Sequence, residues 1–309
     1  MNTLPSPSVT ELTQMLTREV YKALGFSPQA WYHRLLDPVF LAPARRLTQV
    51  ASSFDAMVQR CGLPEAARWV LPQFITGLQV RGMETIPPEG PLLVAANHPG
   101  AADSLCHAAS VRRKDLRIIA SDVPFLRYLP SLRKHLIPVS GDPFVRMNAL
   151  RTGLRHLQDG GALLLFSTGR IDPDLAVHPE AQAQAELENW SGSLEIFLQR
   201  APGAQVVLGI ASGVVARSCW RNPLKYLKQT PLDRRRIAEF LQVMLQMGWG
   251  WKFDLQARVS YARQYGLESS AEGPLLEEIK ARARALMAEH QAALAGSAQA
   301  GFQPVAFQA

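Results

Sequence analysis

Apolar residues recur at steps of three and four over about the first 75 positions. Val9, Leu12, Leu16, Val20 and Leu24 form one series, and Leu47, Val50, Phe54, Met57 and Cys61 form another. That spacing lays side chains along one face of an α-helix. Gly25 to Pro28 and Gly62 to Pro64 break the series, as glycine and proline do between helices. From about Gly77 the pattern changes to short apolar runs separated by helical stretches. The runs are Leu92 to Ala96, Leu116 to Ala120, Ala162 to Phe166 and Val206 to Ile210, each short enough for a buried strand. Between two of them, Asp142 and Pro143 suit the N-cap and first turn of a helix. Its apolar face is Phe144, Met147, Leu150, Leu154 and Leu157, and Gly160 and Gly161 stop it. Residues 223 to 266 read as mostly helical. Pro274 opens a last amphipathic helix through Leu275, Leu276, Ile279 and Leu286, and Gly296 to Ala309 reads as a frayed tail.

Strands alternating with helices predict an α/β fold with a central, mostly parallel sheet flanked by helices and preceded by an N-terminal helical segment. The expected division is a helical segment over 1–75, an α/β domain over 76–293 and a disordered tail over 294–309. With 309 residues, 47% hydrophobic and 19% charged, the chain can bury one large core, and wholly disordered, collagen-like and extended coiled-coil classes are excluded. Lys and Arg total 33 against 26 Asp and Glu, a net charge of +7 that favours anionic partners. Of those cations 26 are Arg, whose planar fork suits bidentate phosphate contacts.

Cys61, Cys106 and Cys219 are too few and too scattered for a disulfide framework or a cysteine zinc site. The start MNTLPSPSVTELTQ lacks the basic and apolar regions of a signal peptide. The longest apolar stretches fall short of the roughly 18 to 20 residues that span a bilayer. A cytoplasmic protein is expected, with the inner face of the cell membrane as the surface it would meet. Trp31, Tyr32, Arg34, Trp69 and Phe74 suit either a helical core or a membrane-interface belt.

The stretch PLLVAANHPGAADSL, Pro91 to Leu105, carries the most chemistry. An apolar strand ends at Asn97 and His98, Pro99-Gly100 turns the chain, and Asp103 stands at the start of the next helix. Such a turn can fold the carboxylate onto one ring nitrogen and leave the other free as a base. Two other readings stay open. Asp103 and His107, four apart, could join His98 as metal ligands, or Asp103 could act as a helix N-cap. A second stretch, GALLLFSTGRIDPD, again ends a strand in a small-residue loop and places Arg170 after Gly169. If both strands run parallel, His98 and Arg170 share the carboxyl edge of the sheet, and Ser212 and Gly213 would line it as well. A third, Gly141 to Arg151, puts Arg146 in the first turn of its helix, where a cation is favoured only if an anion lies there too. The G-x-S-x-G, Walker-type and dinucleotide signatures are absent from the sequence.

In this order and spacing the three stretches, over roughly residues 75 to 220, resemble the glycerolipid acyltransferase superfamily, which includes glycerol-3-phosphate and lysophosphatidic acid acyltransferases. Asn97-His98 through Asp103 is similar to its N-H-x-x-x-x-D motif, and residues 137 to 151 to its second block with a phosphate-binding Arg. Phe166 to Arg170 is similar to its third, usually F-P-E-G-T-R, and Val206 to Ile210 to its apolar fourth. Ser167 and Thr168 replace the usual Pro and Glu, closer to the S-G-G-R loop of the soluble glycerol-3-phosphate enzymes, and Arg146 comes late after Ile137-Pro138-Val139.

The resemblance implies acyl transfer from acyl-CoA or acyl carrier protein to a hydroxyl of glycerol-3-phosphate or a lysophospholipid, with the thioester as a substrate and no cofactor or metal. It makes His98 the general base and Asp103 its partner. Arg170, Gly169, Thr168, Ser167, Arg146 and Asn97 become substrate-binding residues. The implied partners are the thioester, a phosphorylated glycerolipid and an anionic membrane surface, with no nucleic acid. An apolar groove for the acyl chain would come from the N-terminal helices or from Phe240 to Phe253, with Met244, Met247, Trp249 and Trp251. The competing reading is a catalytically silent lipid-binding protein of the same fold.

Overall fold

The computed structural model describes residues 9–24, 33–264, 275–296 and 301–308. Gly25 to Pro28, Trp31, Tyr32 and Pro274 lie outside the described residues, as do the side chains of Val9, Val20, Leu24 and Arg34.

Strands β1 (Gly77–Arg81), β2 (Leu92–Ala96), β3 (Arg117–Ser121), β4 (Leu136–Val139), β5 (Ala162–Phe166), β6 (Gln205–Ser212), β7 (Gln256–Gln264) and β8 (Gln303–Pro304) form one sheet in the order β4-β3-β5-β2-β6-β7-β1-β8. The five strands from β4 to β6 run parallel, with Leu92 opposite Ala162 on one side and Gln205 on the other. β7 runs antiparallel to β6, and β1 is parallel to β7. The fold is therefore α/β, with a mostly parallel sheet flanked by helices and an N-terminal helical segment. β7 falls within the region whose sequence reads as helical. Its alternating QARVSYARQ earns strand geometry from pairing on both sides with β6 and β1, a long-range term that local pattern does not carry.

β2 is buried along its whole length, as a central strand covered on both faces must be. Successive side chains point to opposite faces, and the core divides accordingly. Leu92, Val94 and Ala96 join Leu12, Leu16, Phe54, Val58 and Leu63 on one face. Leu93 and Ala95 join Leu154, Leu157, Phe197, Ile279 and Met287 on the other. The N-terminal helices thus share a core with the sheet. Asp55, in helix His33–Cys61, reinforces that union by accepting the backbone N–H groups of Ser131 and Leu132 at 2.9 and 2.7 Å.

Helix Pro143–Gln158 starts where Asp142 and Pro143 predict, with the Asp142 carboxylate accepting the Phe144 N–H at 2.7 Å. Its predicted apolar face is only half inside. Leu154 and Leu157 are buried, whereas Phe144 and Met147, in its first two turns, stand in solvent.

The C-terminal segment also differs from its reading. Val305 is buried and donates its N–H to Leu78 at 2.9 Å, and β8 pairs antiparallel with β1. Residues 301–308 cover an edge strand whose open N–H and C=O groups would otherwise face water, so they are not a frayed tail.

Helix Pro231–Trp249 lies beside the carboxyl ends of β2 and β6, with Gln242 bonded to the segment after β6 and Glu239 facing the charge of His98. It leaves the segment that follows β6 and ends just before β7 begins opposite Ser212. Along its length Arg235 reaches Glu186 at 2.8 Å, Gln242 bonds Ala216 N and Val214 O at 2.7 and 2.9 Å, and Gln246 donates to Phe74 O at 2.7 Å. It roofs the rim on which the sequence places the chemistry. Of the stretch proposed as an acyl groove, Met244 and Met247 are core, while Trp249 and Trp251 are exposed.

Candidate active site

The site is built where β2 ends. Asn97 is buried, and its side-chain amide closes on the β6 backbone, accepting the Ala211 N–H at 2.7 Å and donating to the Ala211 carbonyl at 3.0 Å. Its amide continues the ladder one residue past the strand, so Asn97 is a clamp and not the substrate contact that the resemblance implies. His98, Pro99 and Gly100 then turn the chain into helix Asp103–Val111. Asp103 is fully buried, and its Oδ2 accepts the Gly100 N–H at 3.1 Å and meets His98 Nδ1 at 2.8 Å. The N-cap of this helix is Ala102, which removes the capping role considered for Asp103.

Bonds across the sheet hold the His98 backbone. Its N–H donates to Asp172 Oδ2 at 2.8 Å, and its carbonyl accepts the Asp172 N–H at 2.7 Å. The ring stacks on Phe166, with centroids 4.4 Å apart and planes 25° apart. With Nδ1 committed to Asp103, the lone pair for chemistry is that of Nε2, on a side chain still 26% exposed. Burial works against a charged imidazole here. The Asp103 carboxylate, by charge and hydrogen bond, outweighs it with help from Glu239 and Asp172, and the His98 pKa rises to about 9. Burial in turn pushes Asp172 and Glu239 up to about 7 each. One imidazole thus serves as the shared counter-charge of three acids. Sequence reasoning missed Asp172 and Glu239; they reach His98 from 74 residues away and from another helix, and no local spacing announces either.

β2 and β5 are parallel, so Arg170 does leave the sheet on the same edge as His98. Gly169 turns the loop at φ 65°, a left-handed conformation that favours glycine. The Thr168 hydroxyl is spent inside that turn, donating to the Arg170 carbonyl at 2.9 Å. Ser167 is fully buried with its hydroxyl unpaired, so it backs the loop and presents nothing to a ligand on the rim. Arg170 Nη2 donates to Glu186 Oε2 at 3.0 Å, and Arg235 Nη2 takes the other oxygen of the same carboxylate at 2.8 Å. Burial would raise Glu186, but these two guanidiniums hold it below the usual carboxylate value. Two cations sharing one anion leave this group of three side chains with a net positive charge. Arg146 is exposed in the first turn of its helix, apart from this cluster in the hydrogen-bond pattern.

The alternatives read from sequence find other partners. His107 is fully buried, with Nδ1 bonded to the Tyr261 hydroxyl at 2.8 Å, and burial lowers its pKa to about 4. Among the described residues no group of three or more His, Cys, Asp or Glu is gathered to hold a metal ion. Ser212, expected on the rim, points into the core, where His290 bridges it to Ser260 at 2.8 Å on each side. That serine and histidine are buried without an acid, which makes them a packing cluster and not a nucleophile pair. Gly213 does lie at the rim; at φ 75° a Cβ there would stand 2.3 Å from the Gln256 carbonyl.

No family model and no curated protein matches this sequence. Among solved structures the chain is similar to the 1-acyl-sn-glycerophosphate (LPA) acyltransferase PlsC from Thermotoga maritima, at 16% identity and a TM-score of 0.43, over 91% of this chain and 96% of that one. A likeness that distant bears on neither substrate nor mechanism, and the functional reading rests on the residues themselves.

Proposed function

We propose that the chain is an O-acyltransferase that moves an acyl group from a thioester, acyl-CoA or acyl carrier protein, to a hydroxyl of glycerol-3-phosphate or a lysophospholipid. The observation that carries this reading is the 2.8 Å bond from His98 Nδ1 to Asp103, which leaves Nε2 as an unpaired base beside a cationic cluster. Nε2 takes the proton of the acceptor hydroxyl as its oxygen attacks the thioester carbonyl. When the tetrahedral intermediate collapses, the C–S bond breaks and the imidazolium returns that proton to the departing thiolate. Asp103 keeps the tautomer and stabilises the imidazolium.

Arg170 binds the acceptor phosphate. Glu186 occupies Nη2, which leaves Nη1 to donate to a phosphate oxygen. The acyl chain needs an apolar groove. The candidate for it is a cavity of about 340 Å³ whose walls mix Val177, Val215, Ala216, Phe253 and Leu255 with Arg217, Asp254 and Gln256, and which does not include His98 or Arg170. The silent lipid-binding alternative draws on the same Glu186, which already engages the proposed phosphate ligand. Among the described residues no helix is long and apolar enough to cross a membrane.

The test is thiol release from palmitoyl-CoA and palmitoyl carrier protein, with glycerol-3-phosphate or lysophosphatidic acid present or withheld. Release that requires an acceptor is expected. An intact thioester with every pair supports the silent alternative, and release without acceptor makes the chain a thioesterase. Arg170→Ala is expected to raise the KM for the phosphorylated acceptor by about 10- to 100-fold, the range of a lost charge-assisted hydrogen bond, with a much smaller change in kcat.

A further inference from the structure

Among the described residues, most of the large apolar side chains left in solvent stand on segments next to one rim of the sheet, with Leu41 in helix His33–Cys61 an exception. Phe144, 86% exposed, and Met147 follow the end of β4, and Leu224, Tyr226 and Leu227 follow β6. Trp249 and Trp251 precede β7, whose start lies opposite the end of β6. All these segments leave or enter the sheet at the rim that carries His98. The sharpest projection is the turn Pro223–Leu227, where Leu227 is 77% exposed and Leu224 49%. It is a stiff projection. Asn222 caps it at Leu224 N at 3.0 Å, Lys225 Nζ lies 3.8 Å from the Trp220 ring centre and 5.1 Å from that of Tyr226, and the Arg234 guanidinium stacks on Tyr226 at 5.1 Å. The aromatic is held in place by cations.

The surface charge around this projection is mostly of one sign. Between Gly213 and Arg236 the cations Lys225 and Arg235 are buried, and Arg217, Arg221, Lys228, Arg234 and Arg236 reach the surface against the single acid Asp233, which pairs with Arg236. We propose that this rim is a docking face for an anionic lipid bilayer, with the Leu224–Leu227 turn as its inserted wedge. Separate apolar prongs within a basic collar match the boundary between anionic head groups and acyl chains. A second copy of the chain fits poorly, because a twofold contact would set the basic segment against itself. Docked this way, the rim faces the head groups, and the site opens where a lipid acceptor resides.

Co-sedimentation of the full chain with sucrose-loaded vesicles tests the assignment. The chain is expected to bind vesicles of equal parts phosphatidylcholine and phosphatidylglycerol, to release them as salt rises, and to bind neutral phosphatidylcholine vesicles weakly. The double variant Leu224→Ser, Leu227→Ser is expected to lose about tenfold or more in partition, since each side chain gives up its burial in the acyl layer. Its thermal unfolding should not move, because both side chains are exposed in the folded chain. Unaltered partition of the double variant, or equal binding to neutral vesicles, overturns the proposal. So does an oligomer in solution that the same substitutions split, which would make this face an interface between copies. Sedimentation registers no acyl transfer, so its failure and the failure of the acyltransferase reading are separate results.

Discussion

Replacing His98 by Gln is expected to slow acyl transfer by about 10²- to 10⁴-fold, the range that general base catalysis supplies, with a smaller loss of stability than Ala would bring. Gln is the informative substitution because Asp103 is fully buried and depends on His98 for one of its two hydrogen bonds. Ala would strand that carboxylate, a loss of about 3–5 kcal/mol when one partner of a buried charged pair is removed, and activity would fall for the wrong reason. Gln keeps a donor toward Asp103 while it removes the base and the imidazolium charge, so it costs less stability than Ala. Thiol release measured beside thermal unfolding separates the two effects, and unchanged turnover in a folded His98→Gln chain would eliminate the proposed base.

The wild-type protein carries a further signature. The base must be neutral to accept a proton, and its pKa stands at about 9. Protonation therefore removes activity as the pH falls, and kcat/KM is expected to rise about tenfold per pH unit up to about pH 9 and then level off.

Asp103→Asn is expected to move that limb toward acid pH and to lower the plateau by about 10²-fold or more. The Gly100 N–H points at the Oδ2 position and demands an acceptor there, so the Asn carbonyl oxygen takes that place and the ring keeps its tautomer. What disappears is the negative charge. After burial, that charge is the first of the influences on His98 and the largest of those that raise the pKa. Without it the free imidazole is neutral at lower pH, but the imidazolium formed during attack loses its partner. Titrating the His98 ring by NMR in both proteins, together with the pH–rate profile, reads both effects. If the limb stays at pH 9 in the Asn variant, Asp103 is not what tunes the base.

The parts of this architecture that were legible in the sequence are those whose cause is local. The strands at Leu92–Ala96 and Ala162–Phe166 have the predicted bounds because a strand covered on both faces is apolar throughout. His98 and Asp103 were legible because five residues and a Pro-Gly turn are enough to bring them together. β7 was not, since its polar alternation acquires meaning only between β6 and β1. Asn97 was assigned to a ligand when its partner is the backbone of Ala211, 114 residues on. Phe144 and Met147 continue the apolar face of their helix in sequence and leave the core in space. Glu186 and Arg235 stay invisible for the same reason, because each matters only through a contact with another helix or loop.

The paired bonds between His98 and Asp172 join the end of β2 to the loop that carries Arg170, two residues before Asp172. The proposed grip and the proposed proton transfer would therefore act as one mechanical piece. A head group that tugs the guanidinium out of its pairing with Glu186 also strains the seat of the imidazole. Occupancy of one end would then be felt at the other without any hinge or moving domain.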